Sequence, residues 1–510
     1  MNSYKFRSLL RRRIFIIFLI IIQFVFLMYT MVSTSRTSTL LTTVMIVMSV
    51  LVTLYILSKK DKGGYKLTWV IMILIFPLFG GLFYLIFHLQ TTQKSMIKGI
   101  ETIENKSRSI LYLPKDSYKE ALGELSDYSH QITYLQKFAG FPIYNGTETK
   151  YLFSGEEKFE FLCQELKKAK NYIFLEYFII SEGKMWNTIL DILKSKAKEG
   201  VIVRIIYDDM GCFLKLPKNY AAYLKTFSIE CIVFNPFRPV ISTIQNNRDH
   251  RKIAVIDGIV AFTGGVNLAD EYINEIDKYG GHWKDSAVMI KGKGAWSFTV
   301  MFLQMWELIS KQKERYRDFF PNEAVKTDEK GFVQPYTDSP VDKENVGEHV
   351  YLKIINNAKK YLYISTPYLI IDDSIVSALC LAAKSGVDVR IITPFKADKW
   401  IVHVTTRSYY RELIKAGVKI YEYSKGFVHS KTFVSDDRVA TVGTANLDYR
   451  SLYLNFECGV VMYETSAVAE VKKDFENTFG LCHLVELKEC KRSFFIRLLQ
   501  DIMRIFAPLM

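Results

Sequence analysis

Residues 14–33, IFIIFLIIIQFVFLMYTMVS, contain no charge. As a helix they would extend about 30 Å, the thickness of a bilayer's hydrocarbon core. Residues 40–57 form a second apolar run. Residues 67–87 form a third, interrupted by Pro77 and the pair Gly80–Gly81. The first run is too long for the core of a secretory signal peptide. The pattern predicts a membrane region over 1–92 made of transmembrane helices. Lys5, Arg7, Arg11, Arg12 and Arg13 precede the first run, and Lys59, Lys60, Lys62 and Lys66 lie between the second and third, whereas Arg36 stands alone after the first. Basic residues stay on the cytoplasmic side, so runs 14–33 and 40–57 are expected to form a hairpin. The third run could span or re-enter, and the two options put the rest of the chain on opposite faces.

From about residue 93 the pattern changes to short apolar strands alternating with amphipathic helices, and it repeats. GVIVRIIYD (200–208) parallels GVDVRIITP (386–394), and YIFLEYFII (172–180) parallels YLYISTPYLI (361–370). Strand, helix, strand, occurring twice, predicts two similar α/β units with largely parallel strands. The units are bounded at 93–320, with a motif region over 244–271, and at 321–510, with a motif region over 423–450.

The repeat is sharpest in its polar residues. His250, Lys252, Asp257, Gly264 and Asn267 recur as His429, Lys431, Asp436, Gly443 and Asn446, every pair 179 positions apart. Residues 252–256, KIAVI, read as a strand, where side chains alternate faces. His250 and Lys252 then share a face, as do His429 and Lys431. Asp257 and Asp436 have the opposite parity and are expected to serve the turn rather than touch the group that the histidine touches.

A histidine beside a lysine suits a phosphate. The lysine offsets charge on the oxygens, and the imidazole attacks or moves a proton near neutral pH. Asn267 and Asn446 offer neutral donors to the same oxygens. Two copies allow one histidine to attack phosphorus and the other to protonate the leaving oxygen, which requires the two units to share one active site. A catalytic histidine also needs an acceptor for its other ring nitrogen. Asp285, 35 positions after His250, and Glu457, 28 after His429, are the candidates.

Composition narrows the chemistry further. The 510 residues carry 67 Lys and Arg against 53 Asp and Glu, a net charge of +14, which anionic lipid attracts as readily as nucleic acid does. The seven cysteines, Cys163, Cys212, Cys231, Cys380, Cys458, Cys482 and Cys490, include no C-x-x-C pair. Neither a disulfide framework nor a cysteine-based zinc site is expected. His88, His130, His282, His349, His403 and His483 form no ligand spacing, and there is no nucleotide-binding glycine loop. No metal and no cofactor is implied. Residues 494–510 place Phe494, Leu498, Ile502, Ile505 and Leu509 at three- and four-residue steps. They predict an amphipathic tail helix, packed on the second unit or lying in a lipid interface.

The paired H-x-K-x-x-x-x-D motifs resemble those of the phospholipase D superfamily. Within it the chain is similar to the bacterial cardiolipin synthases, through 246–272, the third apolar run with Trp69, Pro77, Gly80 and Tyr84, and the tail 494–510. That resemblance implies two duplicated α/β sandwich halves sharing one active site, and a multi-pass protein of the bacterial cell membrane. It implies a metal-free transfer in which one phosphatidylglycerol gives its phosphatidyl group to a histidine and then to a second phosphatidylglycerol. By the same resemblance the first motif's His250 attacks and His429 carries the proton. The alternatives are another phosphatidyltransferase of membrane phospholipids, a hydrolase of the same superfamily, acting on lipid or nucleic acid, and a membrane-anchored binding protein with an inactive site. The membrane runs speak against nucleic acid, and the completeness of both motifs speaks against an inactive site.

Overall fold

The computed structural model describes residues 21, 25, 28–29, 36–60, 62–76, 80–81, 84, 91–112, 117–237, 243–321, 327–342 and 344–509. Two mixed sheets carry the body. The first runs, edge to edge, Thr147–Leu152, Ala287–Gly292, Val260–Gly264, Lys252–Ile256, Tyr172–Tyr177, Ile202–Asp208, Ile229–Phe234. The second repeats that order as Phe332–Asp338, Asn455–Tyr463, Val439–Gly443, Thr432–Ser435, Tyr361–Ser365, Asp388–Pro394, Lys419–Tyr423, and adds Cys482–Leu484 at the edge. The protein is thus an α/β chain with two duplicated halves.

The expectation of largely parallel strands needs correction. Tyr172–Tyr177, Ile202–Asp208 and Ile229–Phe234 are parallel, as are their three counterparts, and the other pairings along both sheets are antiparallel. Helical crossovers such as Lys184–Lys198 return the chain for parallel pairing. Each motif strand instead turns tightly at Asp257 or Asp436 into its neighbour, and a tight turn can join only antiparallel strands.

The two sheets face each other across one apolar layer. Phe174, Ile253 and Val255 meet Val434, Val460 and Met462, with the buried helix Ala295–Ser310 supplying Trp296, Phe298 and Phe302. At about 1.5–3 kcal/mol per fully buried large apolar side chain, this layer outweighs any rim ion pair and holds the halves as one unit. The chain before the first sheet also crosses over. Ala121, Leu125, Tyr128, Ile132 and Leu135 enter the core of the second half.

At the N-terminal end, helices Arg36–Ser58 and Gly63–Ile75 pack through Val52, Ile56, Trp69 and Ile73. The paired helices are therefore those of the second and third apolar runs. Run 14–33, apart from residues 21, 25, 28 and 29, lies outside the described residues, and so does its expected hairpin. Among the described residues no helix is long and apolar enough to cross a membrane, so the multi-pass expectation is not supported. The third run illustrates why. Its helix ends at Ile75 after 13 residues, about 20 Å, just ahead of Pro77.

Candidate active site

Each motif histidine follows a short strand that pairs with the opposite half. Arg248–Asp249, just before His250, lies parallel to Asn455–Phe456, just before Glu457. Gly426–Val428, just before His429, lies parallel to His282–Lys284, just before Asp285. The backbone completes the registration, with His250 N–H donating to Phe456 O at 3.0 Å and His429 N–H to Lys284 O at 2.7 Å. Two short parallel pairings thus place each histidine beside the other half's carboxylate.

His250 Nδ1 lies 2.8 Å from Glu457 Oε1 and 3.0 Å from Oε2. His429 Nδ1 lies 2.7 Å from Asp285 Oδ2. Ionised carboxylates only accept, so each Nδ1 carries the proton and each Nε2 keeps its lone pair. Both acids were expected as orienting groups from their position after the motif of their own half, yet each serves the other half's histidine. The acids are fully buried. Asp285 also accepts from Ser286 N–H at 2.8 Å, and Glu457 from the Thr444 hydroxyl. Burial works to raise both carboxyls, but the facing histidine and the motif lysines outweigh it and hold them below their ordinary range.

Lys252 Nζ donates to His250 O at 2.6 Å, and Lys431 Nζ donates to His429 O while standing 2.9 Å from His429 Nδ1. Burial lowers all four groups: Lys252 to about 8, Lys431 to about 7, His429 to about 3, and His250 below its ordinary value against the pull of Glu457. His250 feels Lys431, and His429 feels Lys252, so the two motifs form one electrostatic cluster. An anionic phosphodiester entering it would restore the charged forms.

Asp257 and Asp436 lie away from this cluster. Asp257, at φ 52°, accepts N–H bonds from Lys170, Asn171 and Tyr172, each at 2.8 Å. Asp436, at φ 57°, accepts from Lys359, Lys360 and Tyr361 at 2.7–2.9 Å. Each caps the start of a central strand. The asparagines differ from each other. Asn267 accepts from Ile179 N–H at 3.0 Å and donates to Tyr272 at 2.7 Å. Asn446 donates to Asp448 at 2.9 Å, and its buried Oδ1 has no hydrogen-bond partner among the described residues.

Several neighbours were not singled out from sequence. His429 sits among the rings of Tyr272, Trp283 and Phe427, whereas His250 has Phe178. Behind His250, buried Arg251 pairs with Glu176; at the equivalent place Ser430 and Ser365 share a 2.6 Å hydrogen bond. Trp283 had a usable signal, standing two residues from Asp285 in HWKD. The Glu176–Arg251 pair had none, because it occurs in one copy of the repeat only.

The chain matches the family profile described as "Cardiolipin synthase, PLD-like domain" over residues 162–306 and 351–479, and "Phospholipase_D-nuclease N-terminal" over 46–87. It is 44% identical over 466 residues to an uncharacterized protein of Streptococcus mutans, covering 90% of this chain and 99% of that one. It is 37% identical over 449 residues to Cardiolipin synthase 2 of Bacillus anthracis, covering 87% and 86%. Among solved structures, phosphatidylserine synthase of Haemophilus influenzae shares the fold, with a TM-score of 0.55 at 16% identity over 72% of this chain and 95% of that one.

Proposed function

Because the chain belongs to the cardiolipin synthase family of phospholipase D-like phosphatidyltransferases, we propose that it converts two molecules of phosphatidylglycerol into cardiolipin and glycerol through a phosphatidyl-histidine. The observation that carries this reading is the crossed pair of His–carboxylate contacts closed around two buried lysines.

In the first step, His250 Nε2 attacks phosphorus and the P–O bond to the leaving glycerol breaks. His429 passes a proton to that oxygen. Lys252 and Lys431 offset charge on the phosphoryl oxygens as it builds up. The phosphorylated imidazole is cationic, and both oxygens of Glu457 stand against its Nδ1–H. In the second step the terminal hydroxyl of another phosphatidylglycerol attacks phosphorus. His429 takes its proton, and His250 leaves as neutral imidazole. The second N–H of each asparagine amide serves the phosphate, and the open acceptor Asn446 Oδ1 suits a glycerol hydroxyl. In the empty site His429 is held neutral, with its one proton on Nδ1, so it takes up the proton it later donates at Nε2 from water as the negative phosphodiester binds.

A hydrolase would run the first step and give the intermediate to water. The rings of Tyr272, Trp283, Phe427 and Phe178 around the histidines favour transfer, because they limit water at the reacting atoms. The substrate belongs in a bilayer, and helix Arg36–Ser58, which exposes Leu40, Val44, Val47, Leu51 and Leu54, suits contact with its acyl region. The test is to supply purified full-length protein with phosphatidylglycerol and follow the products. Cardiolipin and glycerol in equal amounts support the reading. Phosphatidic acid in place of cardiolipin would make the protein a hydrolase.

A further inference from the structure

A cavity of about 680 Å³ lies between helix Trp400–Lys415, the last two strands of the second sheet, Lys419–Tyr423 and Cys482–Leu484, and the tail helix Phe494–Phe506. No motif residue lines it. Its charges are unevenly matched. Arg407 is taken by Glu422, at 2.6 and 2.9 Å, and His483 by Glu489, at 2.8 Å. Arg411, Arg492 and Arg497 have no carboxylate partner among the described residues and face one uncommitted acid, Asp501. Three guanidinium groups with no carboxylate partner among the described residues form a ready site for phosphate oxygens.

The tail helix presents Phe494, Arg497, Leu498 and Asp501 to the cavity at three- and four-residue steps. It buries none of its own side chains, and Phe494 and Phe495 are 67% and 79% exposed. Two exposed rings beside a cluster of arginines fit the boundary between lipid headgroups and acyl chains. The fold ties this helix to the apolar hairpin. Thr68 Oγ1 donates to Ile505 O at 2.6 Å, and Gly64 lies so close to Tyr449 and Pro508 that a Cβ would meet both. Lipid that covers the exposed Leu67, Leu74 and Ile75 of that hairpin therefore lies beside the tail.

We infer that this cavity is a second lipid site, in which the phosphodiester or phosphate of an anionic phospholipid from the bilayer sits among Arg411, Arg492 and Arg497, with its acyl chains along Phe494, Phe495 and Leu498. The site holds no nucleophile. It anchors the second half at headgroup depth and responds to anionic lipid that is not substrate.

The test uses the full chain in mixed micelles with a photoactivatable, diazirine-acyl phosphatidic acid, and maps the label by peptide. Labelling is expected on the tail helix. Arg492→Gln and Arg497→Gln should each lower it about fivefold, the contribution of one basic residue at an anionic lipid surface. Asp501→Asn should raise it, which gives a second arm with the opposite sign. Inorganic phosphate should not compete. Labelling indifferent to all three substitutions would mean apolar adhesion only and overturn the site. Labelling abolished by inorganic phosphate would mean a soluble anion is the ligand and overturn the lipid assignment.

Discussion

His250 of the first half is held by Glu457 of the second, 2.8 Å from Nδ1 to Oε1, with the other carboxylate oxygen at 3.0 Å. His429 reaches back to Asp285 at 2.7 Å. Each half therefore supplies the carboxylate that faces the other half's histidine. Glu457→Gln keeps the shape and removes the charge that fixes the tautomer of His250. The expected loss in kcat is about 10²-fold or more, although the substitution lies outside the first motif. Asp285→Asn should lower it similarly. The double variant should lose far less than the product of the two losses, because the histidines act as one unit. Full multiplicative loss would mean the two pairs work independently.

The lysines set the alkaline side of the pH profile. Burial brings Lys431 to about 7 and Lys252 to about 8, so their positive charge is present below those values and lost as pH rises through them. The profile of kcat/KM, which reports the free enzyme, should fall from neutral pH upward. On the acid side His250, which must be neutral to attack, is held below its ordinary value, so no limb should appear near 6.5. A plateau reaching beyond pH 9, or an acid limb at 6.5, would contradict these surroundings.

The motif aspartates give a contrasting expectation. Asp257→Ala leaves three backbone N–H groups without their acceptor and puts alanine at a positive φ. A destabilisation of about 1–3 kcal/mol should follow. Asp436→Ala should cost less, because two of its three donors are exposed. Molecules that remain folded should turn over at near-normal rates. A thermal melt together with activity per folded molecule separates this from a catalytic role, in which the rate would collapse without a change in melting temperature.

Lys62 ties the apolar hairpin to the body, with Nζ 2.6 and 2.8 Å from the buried Glu348 carboxylate. Lys62→Met should lower the melting temperature by leaving that carboxylate without its cation. Adding Glu348→Gln should restore part of the loss. A further drop on adding the second substitution would show that the pair is not what holds the hairpin.

Much of the candidate site was legible in the chain, because duplication printed it twice. The common offset of His250, Lys252 and Asn267 from His429, Lys431 and Asn446 marks the motifs, and strand parity separates Asp257 and Asp436 from the histidines. The crossing of Glu457 to His250 was not legible. Spacing along the chain carries no information about which half a carboxylate will face, and the crossing depends on the pairing of Arg248–Asp249 with Asn455–Phe456. The antiparallel strands were missed for a related reason, since buried strands look alike in either direction. The entry of residues 121–135 into the second core was hidden as well, because an apolar face does not name its partner.

The central claim is a covalent phosphatidyl group on a histidine of a site built from both halves. The direct measurement is a rapid-quench trap, kept out of acid because a phosphorus–nitrogen bond to histidine is acid-labile, with phosphorus-labelled phosphatidylglycerol, followed by mapping of the labelled peptide. The label is expected on His250, absent from His250→Ala, and still formed, slowly, in His429→Ala. Label on His429 would reverse the roles of the two histidines. Full turnover with no label on either histidine would contradict the account.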